Sequence, residues 1–166
     1  MTTEPSPELA WLSSAVVKLK ASEEDIDIAA RTVWGEARGE GEAGMQAVAA
    51  VLINRALAAR SFIAAKAGRK KHPLFGDGSL TSAAQAAWQF SCWNKNDPNR
   101  DKLIKLSKAD PGYIKAKAAV TWALSNQDPT DGATHYYANS IAAPDWTKDA
   151  TFTKKIGQHL FYKNVK

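Results

Sequence analysis

Apolar residues recur at three- and four-residue steps soon after the start of the chain. Ile26, Ala29, Ala30, Val33 and Ala37 form a single stripe, the pattern of a helix with one buried face. Ser22 followed by Asp25 is a capping-type start for that helix, and Glu23, Glu24 and Asp25 suit the positive end of its dipole. Gly35, Gly39, Gly41 and Gly44 weaken continuation, so the helix should end near residues 35–39. From Met45 to about Arg60 the chain is Ala-rich and apolar nearly all round, as expected of a helix central to a core. Asn54 and Arg55 interrupt that helix and require partners in a neighbouring loop.

Residues 62–79 are basic and glycine-containing and read as a loop with at most one helical turn. Thr81 to Trp88 forms a short helix or extended segment, 94–100 a polar turn containing Asp97–Pro98, and 102–107 a helical turn. Asp110–Pro111 opens a further helix to about Asn126, with proline where its missing N–H does no harm. Asp128–Pro129–Thr130–Asp131–Gly132 is a turn signal. Thr134–Ala138 reads as a short strand, a loop follows from Pro144 with Trp146 in it, and Ile156–Tyr162 closes the chain. The expected fold class is mainly α, an α+β arrangement with a small β-hairpin. Residues 1–21 form an N-terminal extension with a short helix from about Pro7 to Lys20, and 22–166 a single domain.

Charge divides the chain. Residues 1–42 carry nine acidic and four basic side chains, whereas residues 43–166 carry eight and eighteen. A basic body suits an anionic polymer, either nucleic acid or acidic glycan, or else is a solvated surface. No apolar run reads as long enough to span a bilayer, and no secretory signal is read at the N-terminus. Synthesis in the cytoplasm, with no stable membrane insertion, is the expectation.

Among candidate chemical groups, Glu36 leads. It sits at the negative end of the first helix next to apolar neighbours such as Trp34, and both effects favour the protonated form that a general acid requires. Glu40 lies four residues on, and Glu42 reads as an N-terminal charge for the next helix. All seven glutamates lie at or before position 42. A second carboxylate, which glycosidases usually need, would therefore be an Asp or come from the same motif. The other route uses one acid, with the substrate's own hydroxyl as nucleophile. Trp88, Phe90, Trp93, Tyr136, Tyr137 and Trp146 lie in otherwise polar segments, the composition of a sugar-stacking cleft. Gln89, Ser91 and Asn139 beside them suit hydroxyls and acetamides. His72, His135 and His159 lack metal-ligand spacing, so no metal or other cofactor is implied. Cys92, the single cysteine, could pair with His135 or His159 as a thiol dyad, but between Phe90 and Trp93 it reads as a small packed hydrophobe.

The segments Ala30–Arg31–Thr32–Val33–Trp34–Gly35–Glu36–Ala37–Arg38–Gly39–Glu40, Ala47–Val48–Ala49–Ala50–Val51–Leu52–Ile53–Asn54–Arg55, Gln89–Phe90–Ser91–Cys92–Trp93, residues 128–139 and residues 156–162 occur in one order. In these the chain resembles the SleB-type cell wall hydrolases, which include spore cortex-lytic enzymes and phage endolysins. The resemblance implies a lysozyme-like, lytic-transglycosylase-like catalytic domain that cleaves between N-acetylmuramic acid and N-acetylglucosamine. It places the catalytic glutamate at Glu36 and gives Ser91 a hydrogen-bonding role, with Glu40 left as a candidate for catalytic support. Tyr136 and Tyr137 fall in the family's aromatic block, which implies that they wall the glycan groove, and Trp34, Gln89, Phe90, Trp93 and Asn139 are the further candidates for substrate binding. Lytic transglycosylation is the expected route, with a water-using muramidase as the alternative. The expected partner is peptidoglycan glycan strands, not nucleic acid, and the expected state is a monomer that reaches the wall by holin-type release. A non-catalytic nucleic-acid- or wall-binding module is the competing reading from another class.

Overall fold

The computed structural model describes residues 19–86 and 89–166. Most of the expected Pro7–Lys20 helix, and Trp88, lie outside the described residues. Helix α1 spans Glu23–Ala37. Ser22 caps it by the expected box: its hydroxyl accepts from Asp25 N at 3.1 Å, while the Asp25 carboxylate accepts from Ser22 N at 3.1 Å. Asp25 also accepts from the Thr81 hydroxyl and N–H, at 2.7 and 3.1 Å. One aspartate thus ties α1 to helix α3, Leu80–Gln85.

Helix α2 spans Gly41–Ala64, longer at both ends than periodicity predicts. Gly41 and Gly44 are absorbed because packing of a long apolar surface outweighs the cost of about 1 kcal/mol per glycine. The helix is 24 residues long with mean hydropathy 1.5 over its most apolar stretch. By length and composition it could cross a bilayer, contrary to the sequence reading, but 56% of that stretch is buried inside the protein. It packs against α1, α3 and helix α5, Pro111–Leu124. Val33, Val48, Leu52, Leu80, Leu103 and Val120 are fully enclosed in the resulting core, each burial contributing roughly 1.5–3 kcal/mol.

The polar turn expected at 94–100 is in part a helix. Helix α4 runs Pro98–Lys105, with Asp97 accepting from Asn99 N at 2.8 Å and Pro98 in the first turn. Asp110–Pro111 starts α5 by the same device, Asp110 accepting from Gly112 N at 2.8 Å. Arg31 then fastens the exit of α4 to α1, donating to the carbonyls of Leu103 and Leu106 at 2.6 and 2.8 Å. Asp27 holds both Arg31 and the Tyr113 hydroxyl.

The C-terminal part is a three-stranded antiparallel sheet, one strand more than the expected hairpin. It comprises β1, His135–Ala138, β2, Thr151–Ile156, and β3, His159–Lys163, in the order β1–β3–β2. The loop holding Trp146 is partly a 3-10 turn, Asp145–Asp149. Phe161 is fully buried with Ala47, Val51 and Ala133, seating the sheet on α2. Asn54 and Arg55 supply the polar part of that joint. Asn54 donates to Asp128 and the Ala133 carbonyl at 3.0 and 2.9 Å, and Arg55 Nε to the Thr134 carbonyl at 2.6 Å. The expectation that these two residues bind a neighbouring loop is met.

Candidate active site

Glu36 stands in the last turn of α1, half-buried, on the face it shares with Thr32 four residues earlier. A 3-10 turn, Ser91–Trp93, lies along that face. Trp93 Nε1 donates to the Thr32 hydroxyl at 2.8 Å, and Cys92 packs where a side chain at position 35 would begin. A Cβ on Gly35 would meet the Cys92 Cβ and Sγ at 3.4 Å and a Leu103 methyl at 3.0 Å. Glycine is needed here for close approach, and it brings the Cys92 thiol near enough to Glu36 to feel the carboxylate's charge.

From the other side β1 delivers Tyr136, whose hydroxyl donates to Glu36 Oε2 at 3.1 Å. Its ring packs on His159 and Phe161, at centroid distances of 4.8 and 5.4 Å. Burial, reinforced by the Glu36 charge, holds both the Cys92 thiol and the Tyr136 phenol well above their ordinary pKa values. Both stay protonated, and Tyr136 is the donor to Glu36. Cys92 is therefore no thiolate nucleophile, in keeping with its reading as a packed residue. The sequence reading did not anticipate its approach to the end of α1 at Gly35, because that approach joins residues far apart in the chain.

Behind these groups lies Arg55, only 4% exposed. Its guanidinium stands 4.7 Å from the ring centre of Phe90 and 5.3 Å from that of Phe75. Burial lowers its pKa to about 10, and the Glu36 charge opposes that shift, so it remains a cation at neutral pH. Next to it His135 is lowered to about 4, first by burial and then by the Arg55 charge.

The other expected site residues are distributed around this centre. Trp34 is not a neighbour of Glu36, since residues two apart on a helix face different ways. Its indole packs against Gly112 at the start of α5, with the Arg38 guanidinium 4.3 Å above the ring. Phe90 is core, 3% exposed. Tyr137 points to the opposite side of the sheet from Tyr136, where it meets Tyr162 and Trp146. Trp93 borders an open hollow with Gln85 and residues 94–98. Gln89 is half-buried, while Ser91 and Asn139 are exposed. Among the described residues Ser91 has no side-chain partner, and Asn139 is held by its backbone, N to the Gln158 carbonyl at 2.8 Å.

Glu40 is turned away from Glu36. Its Oε2 accepts from Gln158 N at 3.2 Å, in the turn between β2 and β3. Gly157 in that turn has φ +57, and a Cβ there would lie 2.4 Å from the same oxygen. Glu40 thus clasps the hairpin to the start of α2, where the helix dipole favours its charge. Among the described residues no group of three or more His, Cys, Asp or Glu side chains could hold a metal ion.

A helical body with a small antiparallel sheet, and one acid presented between them, defines a lysozyme-like domain. The solved structures it resembles are of that kind. The catalytic domain of the Bacillus cereus SleB protein has a TM-score of 0.63 and 29% identity, covering 87% of this chain and 93% of that one. The catalytic domain of a germination-specific lytic transglycosylase SleB from Bacillus anthracis has a TM-score of 0.61 and 30% identity, covering 86% and 96%.

The chain belongs to the Cell Wall Hydrolase family, whose sequence profile matches residues 39–162. Similar full-length relatives are spore cortex-lytic enzymes. That of Halalkalibacterium halodurans is 34% identical over 140 residues, covering 84% of this chain and 35% of the relative. That of Bacillus cereus is 33% identical over 142 residues, covering 86% and 45%. The chain thus spans less than half the length of these relatives. Glu36 lies three residues ahead of the profile match, so its candidacy rests on the geometry around it.

Proposed function

We propose that this domain cleaves peptidoglycan glycan strands between N-acetylmuramic acid and N-acetylglucosamine, with Glu36 as general acid and then base. The observation that carries the reading is the hydrogen bond from the Tyr136 hydroxyl to Glu36 Oε2, from a strand that packs against the helical body. It holds one half-buried carboxyl beside a protonated phenol, a protonated thiol and one buried cation.

We further propose the lytic transglycosylase route. Glu36 donates its proton to the bridging oxygen, and the bond from that oxygen to the muramic C1 breaks with the electron pair leaving on oxygen. The muramic C6 hydroxyl then attacks C1, and its proton returns to Glu36, closing a 1,6-anhydro ring. Acid and base are one residue, so no second carboxylate is required. Glu40, the nearest glutamate in sequence, is engaged with Gln158 N, which is consistent with this economy. The name of the Bacillus anthracis relative, a lytic transglycosylase, supports the same route.

The test is mass spectrometry of muropeptides released by wild type and Glu36→Gln. Loss of a general acid should slow cleavage by roughly 10²–10⁴-fold. Undiminished cleavage by the variant would remove Glu36 from the chemistry. In the wild-type products, anhydromuramic ends support transglycosylation, and reducing muramic ends would replace it with a water-using muramidase.

A further inference from the structure

Arg55 is an expensive residue for its place. A guanidinium withdrawn from water costs several kcal/mol unless its donors are paired, and an apolar side chain of similar volume is often as stable or more so. Arg55 is only partly compensated. Nε reaches the Thr134 carbonyl and two phenyl faces flank the group, yet Nη1 is buried with no hydrogen-bond partner. Nor does it form an ion pair: among the described residues the salt bridges are Arg31–Asp27, Lys148–Asp145 and Lys163–Asp131.

Tyr136 from β1 donates to Glu36. Arg55 from α2 lies behind it, held by the carbonyl of Thr134, two residues before Tyr136, and by the ring of Phe90, two residues before Cys92. From there its charge and that of Glu36 act on each other. Behind them, the charge of Asp97 reaches Cys92, and His135 adjoins Arg55. Tyr136 and Cys92 are neutral, and His135 is uncharged near neutrality. Arg55 is the one positive charge in this set.

We propose that Arg55 is an electrostatic positioning residue: its buried charge stabilises the Glu36 carboxylate left after proton transfer, without binding it. The absence of a direct ion pair matters, because a carboxylate locked onto a guanidinium would be slow to take its proton back. The inference rests on Glu36 being the acid and base of the reaction.

The experiment measures kcat and KM against pH on a soluble glycan-strand oligomer for wild type, Arg55→Lys, Arg55→Met and Glu36→Gln. Without the cation the acid form of Glu36 persists to higher pH. The alkaline limb of kcat in Arg55→Met should therefore move up by about one pH unit, the low end for an opposite charge close by. On the plateau below that limb, where Glu36 is fully in its acid form, kcat should fall by up to about tenfold, the rate equivalent of that shift, with KM unchanged. Arg55→Lys should keep the limb near its wild-type position. A limb unmoved in Arg55→Met, with equal losses in both variants, would make Arg55 a packing residue and overturn the inference. Glu36→Gln separates the two claims, because an active Glu36→Gln overturns the underlying reading itself. Should Arg55→Met fail to fold, wild type carries the test through salt. A buried charge is little screened, so the alkaline limb of wild-type kcat should hold from low to high ionic strength. A limb that slides with salt would assign control to surface charge and overturn the inference.

Discussion

Deleting one oxygen atom tests the geometry around Glu36 most directly. Tyr136→Phe removes the hydroxyl that donates to Glu36 Oε2 at 3.1 Å and leaves the ring, with its contacts to His159 and Phe161 at 4.8 and 5.4 Å. A hydrogen bond to a charged acceptor contributes roughly 1.5–3 kcal/mol. If that contribution is realised while Glu36 carries charge in the transition state, turnover falls by roughly 10–100-fold. The change in folding stability should be smaller, about 1 kcal/mol or less, because the half-buried Glu36 can recruit water in place of the lost donor.

The assay follows kcat and KM on a soluble glycan oligomer, with thermal unfolding measured on the same preparation. The expected pattern is a fall in kcat with little change in KM and a nearly unaltered melting curve. Tyr137→Phe is the internal control. Its hydroxyl lies on the other side of the sheet, so kcat should stay at the wild-type value. A Tyr136→Phe enzyme with wild-type kcat would show that this hydrogen bond does not serve the reaction. A loss matched by Tyr137→Phe would trace to the strand rather than the hydroxyl.

Two further outcomes concern the frame of the site. Gly157→Ala should destabilise the fold by about 1–2 kcal/mol, because it combines a positive φ with a Cβ set against Glu40 Oε2. In a Glu40→Ala background the same substitution should cost less, and equal costs in a denaturant-melt double-mutant cycle would refute the clasp. His135 should make the protein acid-sensitive. Its pKa falls from 6.5 to about 4 on folding, so the stability it confers is complete above pH 6.5 and is lost as pH drops through 4. The loss should reach at most about 3 kcal/mol, and His135→Gln should flatten that part of the stability–pH curve.

Where helices bury a stripe, the hydrophobic pattern was enough to find them: α1, α2 and α5 are visible as periodicity and caps. The elements that escaped are those with little to bury. Helix α4 encloses only Leu103, and its remaining residues are mostly polar, so Asp97–Pro98 reads as a turn although Asp110–Pro111 reads as a helix start. Strand β2 is a sheet edge that carries Lys154 and Lys155 and has mostly exposed residues, with an irregular register between Phe152 and Lys154. It lacks the alternation that marks a half-buried strand. Arg55 was legible as a problem, a charge within an apolar helix, but its solution lies in Thr134, Phe75 and Phe90, far along the chain.

Neighbours in a motif need not be neighbours in a site, and this protein separates them twice. Tyr136 and Tyr137 stand together in the sequence, but a strand turns successive side chains to opposite faces. β1 gives Tyr136 to Glu36 and Tyr137 to an aromatic cluster with Tyr162 and Trp146. Glu36 and Glu40 would share a face if α1 continued, since four residues make about one turn. The helix stops at Ala37, and Glu40 enters α2 instead, where it binds the hairpin turn through Gln158 N. That hairpin includes β3, which pairs with β1 through Phe161 opposite Tyr136. The clasp made by Glu40 and the hydrogen bond received by Glu36 are thus two ends of one connected structure. Loosening the clasp should reach the chemistry through the sheet, as a loss of Tyr136 alignment rather than of a second acid.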